Sequence, residues 1–109
     1  MSIQAIEKNH SLHVSIKDEM TIYTALEHKN QLIDFLNPDS SVQINLSGVS
    51  EIDSAGVQLL LYLKQEAKAK NVALSLTDHS QAVVEVLELL NLTAHFGDPI
   101  VISAKWKTS

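Results

Sequence analysis

The residues best suited to chemistry or recognition are Asp53, Ser54, Ala55 and Gly56, where an acid and a hydroxyl precede two small residues. Asp and Ser are among the side chains that most often cap the free amides at the start of a helix. We therefore expect the carboxylate of Asp53 to accept a hydrogen bond from the N–H of Ala55 or Gly56. Alternatively, it could orient the hydroxyl of Ser54 or contact a partner. Beside such small neighbours, that hydroxyl would be accessible to another protein.

The flanking residues predict that this run joins a strand to a helix. Apolar and polar residues alternate from 42 to 46, which is typical of a half-buried strand. We expect the chain to turn through residues 48–53 and to enter a helix over about 55–70. Between Val57 and Leu63 that helix is apolar on nearly every side, so its middle should be buried while its first turn could stay exposed. Gly56 would let a partner backbone or the preceding strand approach closely.

Composition restricts the classes of protein to which the chain can belong. Its 109 residues suffice for one hydrophobic core, so residues 1–109 are expected to form a single domain. The absence of cysteine excludes thiolate catalysis, disulfides and cysteine-based zinc sites. The net charge is −5 and there is no arginine, the usual residue for phosphate and guanine contacts, so we expect no nucleic-acid partner.

No motif in the sequence indicates enzyme chemistry or a bound cofactor. His10 and His13 have no third ligand at a recognisable spacing, so we expect no metal site. Gly48-Val49-Ser50 begins like a nucleophile elbow, but Ile52 stands where the closing glycine would be. We therefore expect no catalytic residue, no cofactor and no enzymatic activity. With no secretion signal and no apolar run near the ~20 residues of a membrane span, a cytoplasmic protein without membrane insertion is expected.

Hydrophobic periodicity predicts strands that alternate with helices. Strands are predicted over 3–7, 12–16, 42–46, 72–76 and 100–102, and helices over 22–36, about 55–70 and from Ser80 onward. This order favours a mixed, mostly parallel α/β sheet of four to five strands, with an antiparallel hairpin at one edge and three to four helices packed on it. In the first helix, which Thr21 or Thr24 could cap, the predicted apolar face comprises Ala25, Leu26, Leu32, Ile33 and Leu36.

The segment from Ile44 to Leu60, INLSGVSEIDSAGVQLL, resembles the signature of the STAS family, which includes the anti-sigma factor antagonists. Residues 19–25 resemble the acidic-apolar loop that precedes the first helix of that family, and residues 83–92 resemble its last helix. The chain departs from the pattern at two positions. Asp18 stands where the family often has glycine, and Ala55 replaces a second serine, which leaves Ser54 as the only hydroxyl beside Gly56.

The resemblance implies a STAS-like fold and a phosphorylation switch. Antagonists of this family bind a serine kinase that acts as an anti-sigma factor; the kinase phosphorylates the motif serine, here Ser54, and thereby breaks the complex. A cognate phosphatase restores binding. The resemblance places partner binding at Glu19, Asp53, Ser54, Ala55, Gly56 and Val57.

Elementary electrostatics is compatible with such a switch. A phosphate adds about −1.5 to −2 charges, and at the start of a helix it would meet free amides and the positive end of the helix dipole. Without arginine, the chain lacks the bidentate donor that often reorders a loop around phosphate. We expect modification to act by repulsion and desolvation at a partner interface rather than by refolding the domain.

Three alternatives stay open at this point. The partner could be a similar signalling protein in a pathway without any sigma factor. Ser54 could be an ordinary helix-start residue that is never modified. The chain could also resemble the small STAS subunits that brace the ATPase of phospholipid ABC transporters, in which the motif helix docks on the ATPase without phosphorylation. We expect a monomer in each case.

Overall fold

Strands and helices follow one another along the chain much as the hydrophobic periodicity predicts. The computed structural model describes residues 2–90. These form, in order, β1 (Ser2–Lys8), β2 (Ser11–Met20), α1 (Ile22–Asp34), β3 (Ser41–Ile52), α2 (Ser54–Ala69), β4 (Ala73–Thr77) and α3 (Gln81–Leu89). The strand predicted at residues 100–102 lies outside the described residues.

The four strands of the described region form one mixed sheet in the order β1-β2-β3-β4. β1 is antiparallel to β2, whereas β2 with β3 and β3 with β4 are parallel pairs. The helices α1 and α2 contact each other as well as the strands, and α3 contacts β3. The predicted α/β class and the antiparallel hairpin at the sheet edge are therefore confirmed.

One face of the sheet is apolar and forms the core with the helices. Alternate residues of β2, β3 and β4 are buried there, because side chains along a strand point to opposite faces; they are Val14, Ile16, Val42, Ile44, Leu46, Leu74 and Leu76. Residues on the other face, including His13, Gln43 and Asn45, are polar and partly exposed. In α2, Leu60 and Leu63 are fully buried, which confirms the prediction for the middle of this helix.

The predicted turn at residues 48–53 is wrong, because β3 continues to Ile52 and β2 extends with it to Met20. The two strands stay paired through two register shifts, the first of which places Lys17 opposite Gly48 and the second Glu19 opposite Glu51. Glycine inside a strand often marks such a bulge rather than a turn. The extension brings the end of β2 beside the start of α2, which is where the candidate site is built.

Candidate functional site

A single carboxylate holds the start of two helices. Asp53, the residue before α2, accepts hydrogen bonds through Oδ1 from the N–H groups of Ala55 at 2.9 Å and Gly56 at 3.1 Å. Its other oxygen, Oδ2, accepts from the N–H of Ile22, the first residue of α1, at 3.0 Å. The first two bonds confirm the predicted helix cap. The third joins residues 31 positions apart, and local sequence patterns did not predict it.

These contacts also set the pKa of Asp53. Partial burial would raise the pKa of this carboxyl, but the backbone amides of Ile22, Gly56 and Ala55, together with its own, stabilise the charged form and lower the pKa below the ordinary 3.8. The site therefore carries a permanent negative charge at neutral pH, one residue before Ser54.

Ser54 is the first residue of α2, and its side chain is exposed. Because Asp53 already accepts from the amides of Ala55 and Gly56, the capping role at this helix belongs to Asp53 and not to the serine. The hydroxyl of Ser54 is therefore at the surface and does not cap the helix. Ala55 beside it is half-buried.

Gly56 allows the start of α2 to lie directly against the end of β2. A Cβ atom at this position would collide with the carbonyl oxygen of Met20 and would lie 2.8 Å from Cγ1 of Ile52. The N–H of Asp53 donates to the same Met20 carbonyl at 3.3 Å. The close approach that the sequence predicted at Gly56 thus occurs within the fold, chiefly with β2. Val57 is only 2% exposed, so it and Gly56 support the surface from beneath.

The end of β2 brings an unusual pair of charges to the same edge. Glu19 lies opposite Glu51 across the parallel β2–β3 pairing, and both side chains are exposed. Like charges placed opposite each other on neighbouring strands repel. The preceding residue, Asp18, has a left-handed backbone with φ of 70°. Glycine adopts that conformation freely and aspartate is one of the few other residues that tolerates it, which explains why Asp18 can stand where the family often has glycine.

Hydrogen bonds at the start of α1 connect that helix to the end of β2. The hydroxyl of Thr24 accepts from the N–H of Thr21 at 3.0 Å and donates to the carbonyl of Glu19 at 2.9 Å. Of the two threonines that the sequence offered as caps, Thr21 is the N-cap residue of α1, and Thr24 supplies the side-chain acceptor for its N–H. The two helix starts and the ends of β2 and β3 form one connected unit around Asp53.

A shallow apolar groove of about 360 Å³ runs between α1 and α2 and begins beside Ser54. Its walls are formed by Ile22, Ala25, Leu26 and Lys29 of α1 and by Ala55, Gln58, Leu59 and Tyr62 of α2. Of these residues only Lys29 is charged, and its ammonium group lies 4.2 Å from the centre of the Tyr62 ring. This cation–π contact joins the two helices across the groove.

Three large apolar side chains of α1 remain exposed, and two of them, Ile22 and Leu26, line this groove. Ile22 is 58% exposed, Tyr23 86% and Leu26 73%. The prediction that Leu26 belongs to the buried face of the helix is wrong, whereas Ala25 and Leu32 are buried as expected. Ile22 and Leu26 are four residues apart and so share one side of the helix. The four-residue spacing of Ile22 and Leu26 could therefore have predicted a second apolar stripe on α1, separate from the stripe that faces the core.

Comparison with protein families gives a clear assignment. A family model described as Mlab, STAS domain, matches residues 3–102. The chain belongs to the STAS domain family. The resemblance inferred from the run around Ser54 is therefore confirmed for the family as a whole.

Solved structures show the same fold at low sequence identity. An anti-sigma factor antagonist from Mycobacterium paratuberculosis is 17% identical, with a TM-score of 0.77 over 95% of this chain and 87% of the other. An anti-sigma-factor antagonist (STAS) domain protein from Planctomyces limnophilus is 16% identical, with a TM-score of 0.77 over 94% and 92%. The phosphorylated form of the Bacillus cell-fate determinant SpoIIAA is 14% identical, with a TM-score of 0.62 over 98% and 97%.

The helices of the described region are all too short or too polar to cross a membrane.

Proposed function

We propose that this STAS domain is a regulatory binding module of the anti-sigma factor antagonist type. In the unphosphorylated form it binds a serine kinase that acts as an anti-sigma factor. Phosphorylation of Ser54 by that kinase releases the complex, and a cognate phosphatase restores it. The observation that carries the proposal is the exposed hydroxyl of Ser54 on a helix start that Asp53 holds in place.

The hydrogen bonds of Asp53 explain why a phosphate at Ser54 would act outward. The amides of Ala55 and Gly56, which would otherwise attract an anion at a helix start, already bond to Asp53. The chain has no arginine that could draw the phosphate inward. A phosphate on Ser54 would therefore stay at the surface, where a partner must cover it or dissociate.

Magnitudes favour desolvation over repulsion as the releasing force. Repulsion between exposed charges amounts to about 1 kcal/mol or less in water and is reduced further by salt. Removing a charged group from water without a matched partner costs several kcal/mol. Because Ala55 and the apolar groove adjoin Ser54, a partner seated there would have to dehydrate the phosphate.

The facing carboxylates of Glu19 and Glu51 support a partner with a basic side chain at this edge. A lysine or arginine placed between them would relieve their repulsion. We assign direct partner contact to Glu19, Asp53, Ser54 and Ala55, which are exposed or partly exposed. Gly56 and Val57 contribute by fixing the position of these residues from below.

A kinase assay with a matched serine control tests the proposal. GHKL-type serine kinases from the source organism are purified and incubated with ATP and one of three chains: the wild type, Ser54→Ala or Ser50→Ala. Ser50 serves as the control because it is another exposed serine near the site. One kinase should phosphorylate wild type and Ser50→Ala but not Ser54→Ala, as measured by mass spectrometry of the intact chain and its peptides.

Binding to that kinase should then separate the two states of Ser54. Ser54→Ala should bind as tightly as the wild type, while Ser54→Asp should bind roughly tenfold more weakly, a difference of about 1.4 kcal/mol. Equal affinities of both variants, or the absence of any kinase that modifies Ser54, would contradict the proposal.

A second candidate function is a STAS subunit that braces the ATPase of a phospholipid ABC transporter. The groove supports this candidate because a largely apolar surface suits a permanent contact that needs no phosphorylation. Stable co-purification with an ABC ATPase, unaffected by Ser54→Asp, would support this candidate instead.

A further inference from the structure

We propose that the α1–α2 groove receives an amphipathic helix of the kinase partner, whose aliphatic side chains, three or four residues apart, enter between Ile22, Leu26 and Tyr62. The inference rests on the proposed function, because it takes the same kinase as the occupant. It adds a second recognition element that is separate from the Ser54 hydroxyl.

The geometry of the groove suits a helix. Its walls follow helical spacing on both sides, with residues 22, 25, 26 and 29 on α1 and 55, 58, 59 and 62 on α2. Side chains three and four residues apart form ridges, and the ridges of another helix pack into the space between them. Both walls are α-helices with their own backbone hydrogen bonds, so the groove has no strand edge that an extended peptide could join.

The chemistry of the groove requires an apolar occupant. Lys29 is the only charged residue in its lining, and the ammonium group of Lys29 already contacts the Tyr62 ring. A cationic side chain entering the groove would lose water beside the ammonium of Lys29 and would find no carboxylate in the lining to pair with. By contrast, Ile22 and Leu26 are more than half exposed, and an aliphatic side chain would cover them.

The position of the groove ties the occupant to Ser54. Ala55 both lines the groove and follows Ser54 in the first turn of α2. The N–H of Ile22 at the groove's other wall is fixed by Asp53. A helix seated in the groove would therefore end against the phosphorylation position, so one partner element would be displaced when a phosphate is added.

A matched pair of leucine variants tests the groove. Leu26 is 73% exposed on α1, and Leu89, which does not line the groove, is 83% exposed on α3. With the kinase that modifies Ser54, Leu26→Asp should weaken binding roughly tenfold or more by isothermal titration calorimetry, as expected for a charge placed in a buried apolar contact. Leu89→Asp should leave the affinity within about twofold, which corresponds to ~0.4 kcal/mol. Thermal unfolding should be unchanged in both, since both side chains are exposed.

A photo-crosslinking measurement identifies the occupant. Benzoylphenylalanine at position 26, mixed with the same purified kinase, should crosslink to a helical segment of the kinase with aliphatic residues at three- or four-residue spacing. Crosslinks to a second copy of this chain, or to a loop of the kinase, would overturn the proposed occupant.

The failure of this inference is distinguishable from failure of the proposed function. If a kinase phosphorylates Ser54 and binds Leu26→Asp and Leu89→Asp equally well, the switch stands and the groove assignment is wrong. If no kinase phosphorylates Ser54, the proposed function fails and the groove assignment fails with it.

Discussion

The two ends of the parallel strands are built differently. At the amino ends, polar side chains pair with one another: Nδ2 of Asn71 donates to Oδ1 of Asp39 at 2.8 Å, and the hydroxyl of Ser11 donates to that of Ser41 at 3.1 Å. At the carboxyl ends of β2 and β3, Asp53 bonds instead to the backbone of two helices and leaves the Ser54 hydroxyl and the groove beside it exposed.

This difference indicates which end is suited to recognition. Side chains that pair with one another close a surface, whereas a side chain that bonds to the backbone leaves its neighbours available. A cavity of about 820 Å³, larger than the α1–α2 groove, lies at the amino ends and is lined by residues such as His10, Lys64 and Asn71. We nevertheless assign recognition to the carboxyl ends, because that edge is where open α/β sheets usually bind ligands and where the exposed Ile22 and Leu26 line the groove.

The largest expected effect comes from filling the space at Gly56. In Gly56→Ala the new methyl group would collide with the Met20 carbonyl, a backbone atom that cannot rotate away, so the free energy of unfolding should fall by about 3 kcal/mol. At Gly48, a methyl group would instead meet the flexible side chain of Lys17, with Cγ at 2.6 Å. Gly48→Ala should therefore cost less than about 1 kcal/mol. Urea denaturation measures both, and equal losses would contradict the tight contact at Gly56.

A smaller effect should distinguish the aspartates at the two ends. Asp53→Asn replaces one acceptor oxygen by an NH₂ group that cannot accept from a backbone amide, so the free energy of unfolding should fall by roughly 1–2 kcal/mol. Asp39→Asn keeps an acceptor for Asn71, and asparagine tolerates the left-handed backbone at φ of 63°. It should change stability by less than about 0.5 kcal/mol. If both variants lose the same amount, the two ends do not differ as described.

The smallest effect is the pH dependence of the Asp53 contribution. Because its pKa is lower in the folded state than the ordinary 3.8, the contribution is fully present above that value and is lost as the pH falls through the folded pKa. The stability difference between wild type and Asp53→Asn should therefore be constant from neutral pH to about pH 5 and should shrink below about pH 4. Denaturation curves over this range, with Asp39→Asn as the control, would reveal it; a difference that grows in acid would have the wrong sign.

The sequence predicts the fold and the position of the site because both depend on local patterns. Alternation over residues 42–46 and the apolar run after Gly56 locate β3 and α2, and capping preference locates the carboxylate at Asp53. The end of β3 was predicted wrongly because the glycine at Gly48 is a turn signal and a bulge signal at once. Because β3 stays paired with β2 beyond Gly48, the glycine marks a bulge and not a turn.

Other features depend on contacts between distant parts of the chain. The bond from Ile22 to Asp53 spans 31 residues, and only the packing of α1 against α2 brings these two together. The exposure of Leu26 also depends on how the helix packs, since an apolar side chain at helical spacing can face either the core or the solvent. The opposition of Glu19 and Glu51 required the register of β2 against β3.

The shared anchor at Asp53 limits how this domain can tolerate inserted or deleted residues. Extra residues in the loop between α1 and β3 would leave the anchor intact, because that loop lies at the opposite end of the sheet. One residue gained or lost between Gly48 and Asp53 would move the carboxylate away from the N–H of Ile22 and break the hydrogen bond that links the starts of α1 and α2. Length variation among homologues, or in redesigned versions, should therefore concentrate at the amino end of β3 and spare the last residues of β3 before α2.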